Sequence, residues 1–156
     1  MARAREHWQA GRYEPAIAHL ERIAGEGFRD ACRIFTIAIA QLKMGRAAAA
    51  FETLRAAAPA FEQTQHAPRP LITLDAGDPD YQLALGVLLR DLGRFEAAHA
   101  ALHCALRIRP DHPQTIYHLG VLFVEAGDQA AAREQYVALA RLDESLARAL
   151  YDRIHF

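Results

Sequence analysis

Four glycines recur along this chain at related intervals. Gly11, Gly45, Gly93 and Gly127 are separated by 34, 48 and 34 residues. A small residue stands seven positions before each glycine, an alanine five positions after it, and a large, mostly apolar residue nine positions after it. Such internal periodicity predicts a stack of equivalent structural units, each of which buries its apolar face against its neighbours.

The residues at these offsets indicate what each unit is. The small residues are Ala4, Ala38, Gly86 and Gly120, the alanines are Ala16, Ala50, Ala98 and Ala132, and the large residues are Leu20, Leu54, Leu102 and Tyr136. Small side chains at both positions allow two successive helices to approach closely. The glycine between them is expected to end the first helix, because it readily adopts the left-handed conformation common at helix C-termini. Each unit is therefore predicted to be a helical hairpin.

The third unit shows this pattern most completely. It contains Tyr81-Gln-Leu-Ala-Leu-Gly86, Leu92-Gly93-Arg-Phe95 and a closing Pro110. These landmarks resemble the tetratricopeptide repeat, in which a helix, a tight turn and a second antiparallel helix form one unit. The resemblance implies an all-α fold, a right-handed solenoid of about four antiparallel helix-turn-helix repeats with a C-terminal capping helix. It implies a single domain over residues 1–156, with repeats at about 1–28, 31–58, 79–112 and 113–142.

Helix boundaries are predicted from capping residues and apolar spacing. Asp30, Asp78 and His112 each stand just before an opening helix, and Asp is a favourable N-cap. The last segment, 144–154, has apolar residues on one face and charges on the other, which is typical of a helix that shields the final repeat from water. The predicted helices cover residues 2–10, 14–24, 31–43, 47–58, 79–91, 95–107, 113–125, 129–141 and 144–154.

The middle interval equals one repeat plus 14 residues, which locates an inserted loop at 59–78. Pro68 and Pro70 exclude a regular helix around them. Two interpretations stay open: a surface excursion without fixed structure, or a functional loop. Several of its residues are too apolar to be freely solvated, and they favour a loop that folds back over the protein or contacts a partner. These residues are Phe61, Leu71, Ile72 and Leu74.

The resemblance also implies where a partner binds. In that family the concave surface is lined by the first helix of each hairpin, at positions ten, six, three and two before the loop glycine. Here these positions are largely apolar, which suits an amphipathic helix or an extended apolar segment. The predicted partner-binding residues at or beside them are Trp8, Phe35, Ile39, Leu42, Leu83, Val87, Arg90, Tyr117, His118, Val121 and Val124. The alternative interpretation is that some of them only pack the helices of their own unit.

A stack of helical hairpins has no built-in reaction centre and acts through the surface that stacking creates. The chain is therefore predicted to be a non-catalytic protein–protein interaction module or scaffold whose partner is a protein or peptide. One alternative is a self-assembling homo-oligomer that associates through the exposed end of the incomplete first repeat, including Trp8. Another is the repeat portion of a larger enzyme, such as a glycosyltransferase, because the late start of the first helix suggests an excised fragment.

Charge and hydropathy argue against other classes of partner. With 18 basic and 19 acidic residues the formal net charge is -1, so the chain has no general electrostatic attraction to nucleic acid. No apolar run is long enough for membrane insertion, and the first residues lack the apolar core of a signal peptide. The expected compartment is the cytoplasm, unless truncation removed an N-terminal signal. Arg supplies 17 of the basic residues, which with the abundant Ala suggests a GC-rich bacterial genome.

No residue pattern predicts catalysis, a metal site or a cofactor. His99 and His103 are four residues apart on one predicted helix, but two imidazoles are too few for a zinc site. His118 has no clear Ser, Cys or carboxylate partner in the sequence, so a role in binding or packing is favoured over general-base catalysis. Cys32 and Cys104 belong to no paired motif and are expected to be free thiols.

Overall fold

The computed structural model describes residues 1–23, 27–63, 66 and 68–156. Every regular element within these ranges is an α-helix, which confirms the all-α fold class. The helices are α1 (Ala2–Gln9), α2 (Tyr13–Glu21), α3 (Gly27–Lys43), α4 (Ala47–Glu62), α5 (Pro79–Asp91), α6 (Phe95–Ile108), α7 (Pro113–Glu125), α8 (Gln129–Leu139) and α9 (Glu144–His155). They follow the predicted helices closely, except at the end of α2, the start of α3 and the end of α4. The predicted end of the second helix, at residue 24, lies outside the described residues.

Two compact units divide the chain, residues 1–76 and residues 77–156. The first unit holds the hairpins α1–α2 and α3–α4, and α2 packs on α3. The second unit holds the hairpins α5–α6 and α7–α8, and α9 packs on both α7 and α8. Each unit therefore consists of two stacked hairpins, as the repeat predicts. The arrangement of all repeats in one domain over residues 1–156 stays a prediction.

The repeat glycines end the first helix of each hairpin in the same way. At Gly93, whose φ is 69°, the N–H donates to the Arg90 carbonyl at 2.8 Å. The N–H of Arg94 donates to the Leu89 carbonyl at 2.9 Å. The same two hydrogen bonds form in the turns of Gly11, Gly45 and Gly127, which also have positive φ. This Schellman arrangement satisfies carbonyls at the helix end, and it confirms the role predicted for the four glycines.

The small residues before the turns allow the close helix contacts that the sequence predicts. A Cβ atom added to Gly86 on α5 would lie 2.6 Å from Cγ of Leu102 on α6. A Cβ atom added to Gly120 on α7 would collide with Leu150 of α9 and would lie 3.2 Å from Cβ of Gln135 on α8. Gly120 is therefore a packing site for two helices at once.

Two of the predicted N-cap positions begin helices, and one of them caps with its side chain. Oδ1 of Asp78 accepts hydrogen bonds from the N–H groups of Asp80 at 3.0 Å and Tyr81 at 3.3 Å. This confirms Asp78 as the cap of α5. His112 precedes α7, but its side chain does not cap the helix. Its Nδ1 instead lies 2.8 Å from Oγ1 of Thr115.

The prediction that Asp30 caps the third helix is wrong. Helix α3 already includes Gly27, so Asp30 lies inside its first turn. The Asp30 carboxylate pairs with the Arg33 guanidinium at 2.6 Å, an i,i+3 ion pair on the helix surface. The earlier start brings Phe28 into the helix, where its ring packs edge-on against that of Phe61, 5.6 Å between centroids. Aromatic packing with α4 thus outweighs the local capping signal.

The predicted end of the fourth helix at residue 58 is also wrong. Helix α4 continues through Pro59 to Glu62, although proline within a helix removes one backbone hydrogen bond at a cost of about 3 kcal/mol. The extra turn buries Phe61 completely, and its ring also packs edge-on against Phe35 at 6.3 Å. Burial of an aromatic side chain offsets the proline cost. Residues 64, 65 and 67 of the predicted insertion lie outside the described residues.

Helix α9 closes the second unit as a capping helix. Leu150 is fully buried in a cluster with Ile116 and Leu139, and Leu146 and Ile154 pack at its edge. These three α9 residues share one face of the helix, as their spacing predicts. The side chain of Asp143 caps the helix by accepting a hydrogen bond from the Leu146 N–H at 3.0 Å.

Candidate binding surface

Many of the predicted partner-binding residues lie in the cores of their own units. Phe35 and Ile39 are fully buried in the first unit, and Leu83 is fully buried in the second. Val87 and Val121 are each 1% exposed. A side chain without accessible surface cannot contact a partner while its unit stays folded. For these five residues the structure favours the alternative interpretation, packing within their own unit.

Trp8 and Leu42 are also largely covered. Trp8 is 8% exposed, and its ring lies edge-on to the Tyr13 ring at 5.4 Å between centroids. Leu42, near the end of α3, is 9% exposed. The α1–α2 hairpin therefore uses Trp8 for its own packing. The expectation that Trp8 is exposed at an open end of the stack is wrong.

Arg90, Tyr117 and Val124 keep accessible surface, and all three belong to the second unit. Helix α5 supplies Arg90, and helix α7 supplies Tyr117 and Val124. Helix α7 packs on both α5 and α9, so these side chains lie on helices that are in contact within one unit. The three residues define the part of the predicted surface that a partner can reach.

Arg90 is held by groups from two helices. It lies in the last turn of α5, where the helix dipole favours a cation. Its Nη1 donates to Nδ1 of His118 at 3.0 Å, and its Nη2 donates to Oδ1 of Asp91 at 2.7 Å. Its Nε lies 3.6 Å from Oε2 of Glu125, and the side chain is 12% exposed. The guanidinium is therefore fixed in position and still reaches the surface.

His118 lies on α7 and is buried next to the guanidinium of Arg90 on α5. Because a guanidinium has no acceptor, Nδ1 of His118 must accept the hydrogen bond from Arg90 and must itself be unprotonated. Burial lowers the pKa of His118 well below 6.5, and the nearby Arg90 and Arg153 lower it further. The imidazole is therefore neutral at pH 7 and acts as a hydrogen-bond acceptor for Arg90.

Tyr117 links α7 to the capping helix. Its hydroxyl accepts a hydrogen bond from Nε of Arg153 at 3.2 Å. Its ring meets that of His118 edge-on at 5.2 Å between centroids. Val124, on the same helix, packs at the edge of the cluster that contains Leu150. No sequence pattern identifies Arg153, because its role depends on how α9 packs against α7.

These contacts define one surface of the second unit, which we call the Arg90 surface. It consists of Arg90, Tyr117, Val124, Glu125 and Arg153, with His118 beneath it. It combines apolar side chains with two guanidinium groups and one carboxylate. Tyr and Arg are the residue types that most often dominate binding energy at protein interfaces.

The described part of the insertion packs on α3 in the first unit. Thr36 is fully buried, and its hydroxyl donates to the Cys32 carbonyl at 2.7 Å and accepts from the Leu71 N–H at 2.8 Å. Pro68 and Ile72 of this segment are buried as well. The structure therefore favours the loop that folds back over the protein. Thr36 lies nine positions before Gly45, as His118 lies nine positions before Gly127, so the repeat offset is a signal that could have identified it.

The remaining candidates for chemistry show no clustered site. The rings of His99 and His103 lie 5.7 Å apart on α6. Within the described ranges, no group of three or more His, Cys, Asp or Glu side chains is placed to hold a metal ion. Cys32 and Cys104 are free thiols. In the same ranges, no helix has both the length and the apolar character needed to cross a bilayer.

Comparison with known proteins finds similarity only among solved structures. A mutant of MamA is 22% identical with a TM-score of 0.47, covering 90% of this chain and 93% of that chain. MamA of MSR-1 is 22% identical with a TM-score of 0.46, covering 91% and 93%. MamA from Desulfovibrio magneticus RS-1 is 18% identical with a TM-score of 0.43, covering 91% and 92%. No family model and no curated protein matches the chain.

Proposed function

We propose that this chain is a non-catalytic protein-interaction scaffold of the tetratricopeptide type, and that its second unit holds a partner peptide or helix on the Arg90 surface. The observation that carries the proposal is the position of His118. Its Nδ1 accepts a hydrogen bond from Arg90 of α5, and its ring meets that of Tyr117, whose hydroxyl accepts a hydrogen bond from Arg153 of α9. Three helices thus present recognition groups in one place, on a rigid support.

The chemistry of the surface defines the class of ligand. Tyr117 and Val124 offer apolar area, and full burial of a Val-sized side chain contributes roughly 1.5–3 kcal/mol before ordering costs. The guanidinium groups of Arg90 and Arg153 can donate to backbone carbonyls or to a carboxylate of the ligand. We therefore expect a short amphipathic helix or an extended apolar segment that carries an acidic or carbonyl group beside its apolar residues.

Free thiols support a reducing compartment for this scaffold. Cys32 and Cys104 are unpaired with each other and lie in different units. Proteins of oxidising compartments more often pair their cysteines in disulfides. We therefore assign the scaffold to the cytoplasm.

Affinity capture with matched variants tests the proposal. The immobilised full chain is exposed to an extract of the source cells, and the captured proteins are identified by mass spectrometry. For each captured protein, calorimetry compares the parent with the double variant Val124→Ala/Arg153→Ala. We expect at least a tenfold loss of affinity, since two contact residues are removed.

Arg148→Ala provides the control on the same helix. Arg148 is exposed on α9 and takes no part in the Arg90 surface. Its removal should leave the affinity unchanged. Equal binding by the parent and the folded double variant would contradict the proposed site.

Self-assembly is a second candidate, favoured by exposed apolar residues on α8 and α9. Val137 is 53% exposed and Tyr151 is 43% exposed. An open pocket of about 440 Å³ between these two helices is lined by Tyr136, Ala140, Glu144, Ala147, Arg148 and Tyr151. Exposed apolar surface at the end of a stack invites association. Light scattering at several concentrations should then show growth of the particle mass, and Val137→Asp should abolish it.

A further inference from the structure

We propose that the face of α3 around Thr36 is a second binding site, specific for an extended apolar segment that contains proline, and that residues 68–72 of this chain occupy it in cis. The site lies wholly within residues 1–76 and shares no residue with the Arg90 surface. It therefore goes beyond the proposed function, and the two proposals fail or stand separately.

The first contact recognises the backbone of the bound segment. The Thr36 hydroxyl gives its hydrogen to the Cys32 carbonyl at 2.7 Å, which leaves its lone pairs for the Leu71 N–H at 2.8 Å. Thr36 is fully buried, so this acceptor is reachable only by a chain that lies directly on α3. Because the donor is a backbone N–H, any residue other than proline satisfies it.

Burial divides the segment into inward and outward residues. Pro68 and Ile72 are buried, Arg69 and Thr73 are exposed, and Pro70 and Leu71 are half-buried. Residues 68–70 lie in neither a helix nor a turn, and the chain bends at Leu71 and Ile72. The segment thus places one face against the protein. The two prolines hold the segment extended and reduce the entropy lost when it docks. The site therefore selects proline and a branched apolar residue on the inward face.

An aromatic residue flanks the site and contacts the outward face of the segment. The Arg69 guanidinium carbon lies 5.7 Å from the centroid of the Phe28 ring. Phe28 is itself supported by Phe61 at 5.6 Å and meets the His66 ring at 5.3 Å. A cation over an aromatic face is favourable, so a basic residue between the prolines adds to recognition.

The balance of these contacts makes the segment exchangeable. One hydrogen bond, the burial of Pro68 and Ile72, and one cation–π contact oppose the entropy cost of ordering five residues. Because residues 68–72 belong to the same chain as α3, their effective concentration at the site is on the order of millimolar. A partner segment of the same chemistry must compete against this concentration. The insertion therefore keeps the α3 face closed until a stronger or more abundant ligand displaces it.

Cys32 provides a direct readout of this exchange. Its thiol is buried on α3, four residues before Thr36 and near the charge of Arg69 in the docked segment. Burial raises the pKa of Cys32, with Arg69 acting in the opposite direction, so the thiol reacts slowly while the segment is docked. Displacement of the segment exposes the sulfur to a labelling reagent. Substitution Cys104→Ser removes the other thiol from the assay.

The experiment measures the labelling rate of Cys32 in the full chain carrying Cys104→Ser. Replacement of residues 68–72 by a Gly/Ser linker of equal length should raise the rate at least tenfold. A synthetic peptide of residues 68–74, added at up to a few millimolar, should slow labelling of this variant at least threefold. A peptide with the two prolines and Ile72 replaced by serine should give no protection.

Two single substitutions at Leu71 test the same contact without replacing the whole segment. Leu71→Pro removes the N–H that Thr36 accepts, and Leu71→Ala keeps it. We expect Leu71→Pro to label severalfold faster than Leu71→Ala, with helical content unchanged in circular dichroism. Labelling of the folded linker variant at the parent rate, or no protection by the peptide, overturns the proposal. Neither result bears on partner capture by the Arg90 surface, because the assay contains no partner protein.

Discussion

Arg90 on α5 donates a hydrogen bond to Nδ1 of His118 on α7, with 3.0 Å between the two nitrogens. The bond requires an imidazole that is neutral at Nδ1, because a guanidinium can only donate. A charged imidazolium would lose this acceptor and would face two cations, Arg90 and Arg153, in a buried position. The protonation state of one buried histidine therefore affects the contact between the helices that form the Arg90 surface.

The stability of the chain is expected to fall in mild acid because of His118. Burial, followed by Arg90 and Arg153, holds the pKa of His118 well below 6.5 in the folded chain. The unfolded chain binds this proton near pH 6.5, so below that pH it holds more protons than the folded chain. The stabilisation that results from the lowered pKa of His118 is complete above pH 6.5 and is lost as the pH falls toward the pKa in the folded chain. The free energy of unfolding changes through this group by at most about 1.4 kcal/mol per pH unit.

Denaturant unfolding between about pH 7.5 and pH 5 measures this effect. His118→Asn places an amide oxygen near the position of Nδ1 and does not titrate, so it serves as the reference. The stability of the parent relative to this variant should shrink as the pH decreases. A difference that stays constant over the range would show that His118 does not titrate with folding.

Gly120→Ala should destabilise the second unit by about 1–3 kcal/mol, since the added methyl group collides with Leu150. Leu150→Ala alone should also destabilise, because it opens a cavity in a fully buried position. In the double variant the new methyl group occupies part of that cavity. Urea unfolding of the four proteins should therefore give a destabilisation smaller than the sum of the single effects. Strict additivity would argue against direct contact between the two positions.

Asp78→Ala should cost about 0.5–2 kcal/mol, because it removes the side-chain acceptor for two N–H groups at the start of α5. Asp30→Ala is the matched control. Asp30 lies within α3 and loses only a partly exposed ion pair with Arg33, worth about 0–1 kcal/mol. The midpoint temperature of thermal unfolding should be lower for Asp78→Ala than for Asp30→Ala. The opposite order would restore Asp30 as a cap.

Val121→Glu should unfold or strongly destabilise the second unit, by more than about 3 kcal/mol, because it places a carboxylate in a core position. Val137→Glu introduces the same charge on a side chain that is 53% exposed and should change stability by less than about 0.5 kcal/mol. Circular dichroism during heating compares the two. A folded Val121→Glu variant of parental stability would mean that Val121 is accessible in solution.

Local signals in the sequence were sufficient to predict the hairpins. The turn at Gly93 depends on residues within five positions of it, and Gly86 meets Leu102 across a single hairpin. Such interactions recur wherever the same residues recur at the same spacing. The start of α3 and the end of α4 were predicted wrongly, because packing of Phe28 against Phe61 overrides both a capping signal and a proline.

The binding surface was only partly predictable for the same reason. Apolar residues at the offsets before each glycine were expected to contact a partner, yet Val87 and Val121 are core residues of their unit. Periodicity identifies the side of a helix on which a residue lies, but it does not show what covers that side. Arg90 and Tyr117 keep accessible surface because their long side chains extend past the helix contacts.

The sequence by itself determined the repeating hairpin, the turn at each glycine and the capping helix, since these depend on residues close together in the chain or on adjacent helices. Only the tertiary structure decided that Arg153 donates to Tyr117, 36 positions away, and that Leu71 donates to Thr36, 35 positions away. Both contacts arise from packing between distant segments. The free energy of such packing depends on the shape and burial of the assembled unit, which no local pattern encodes.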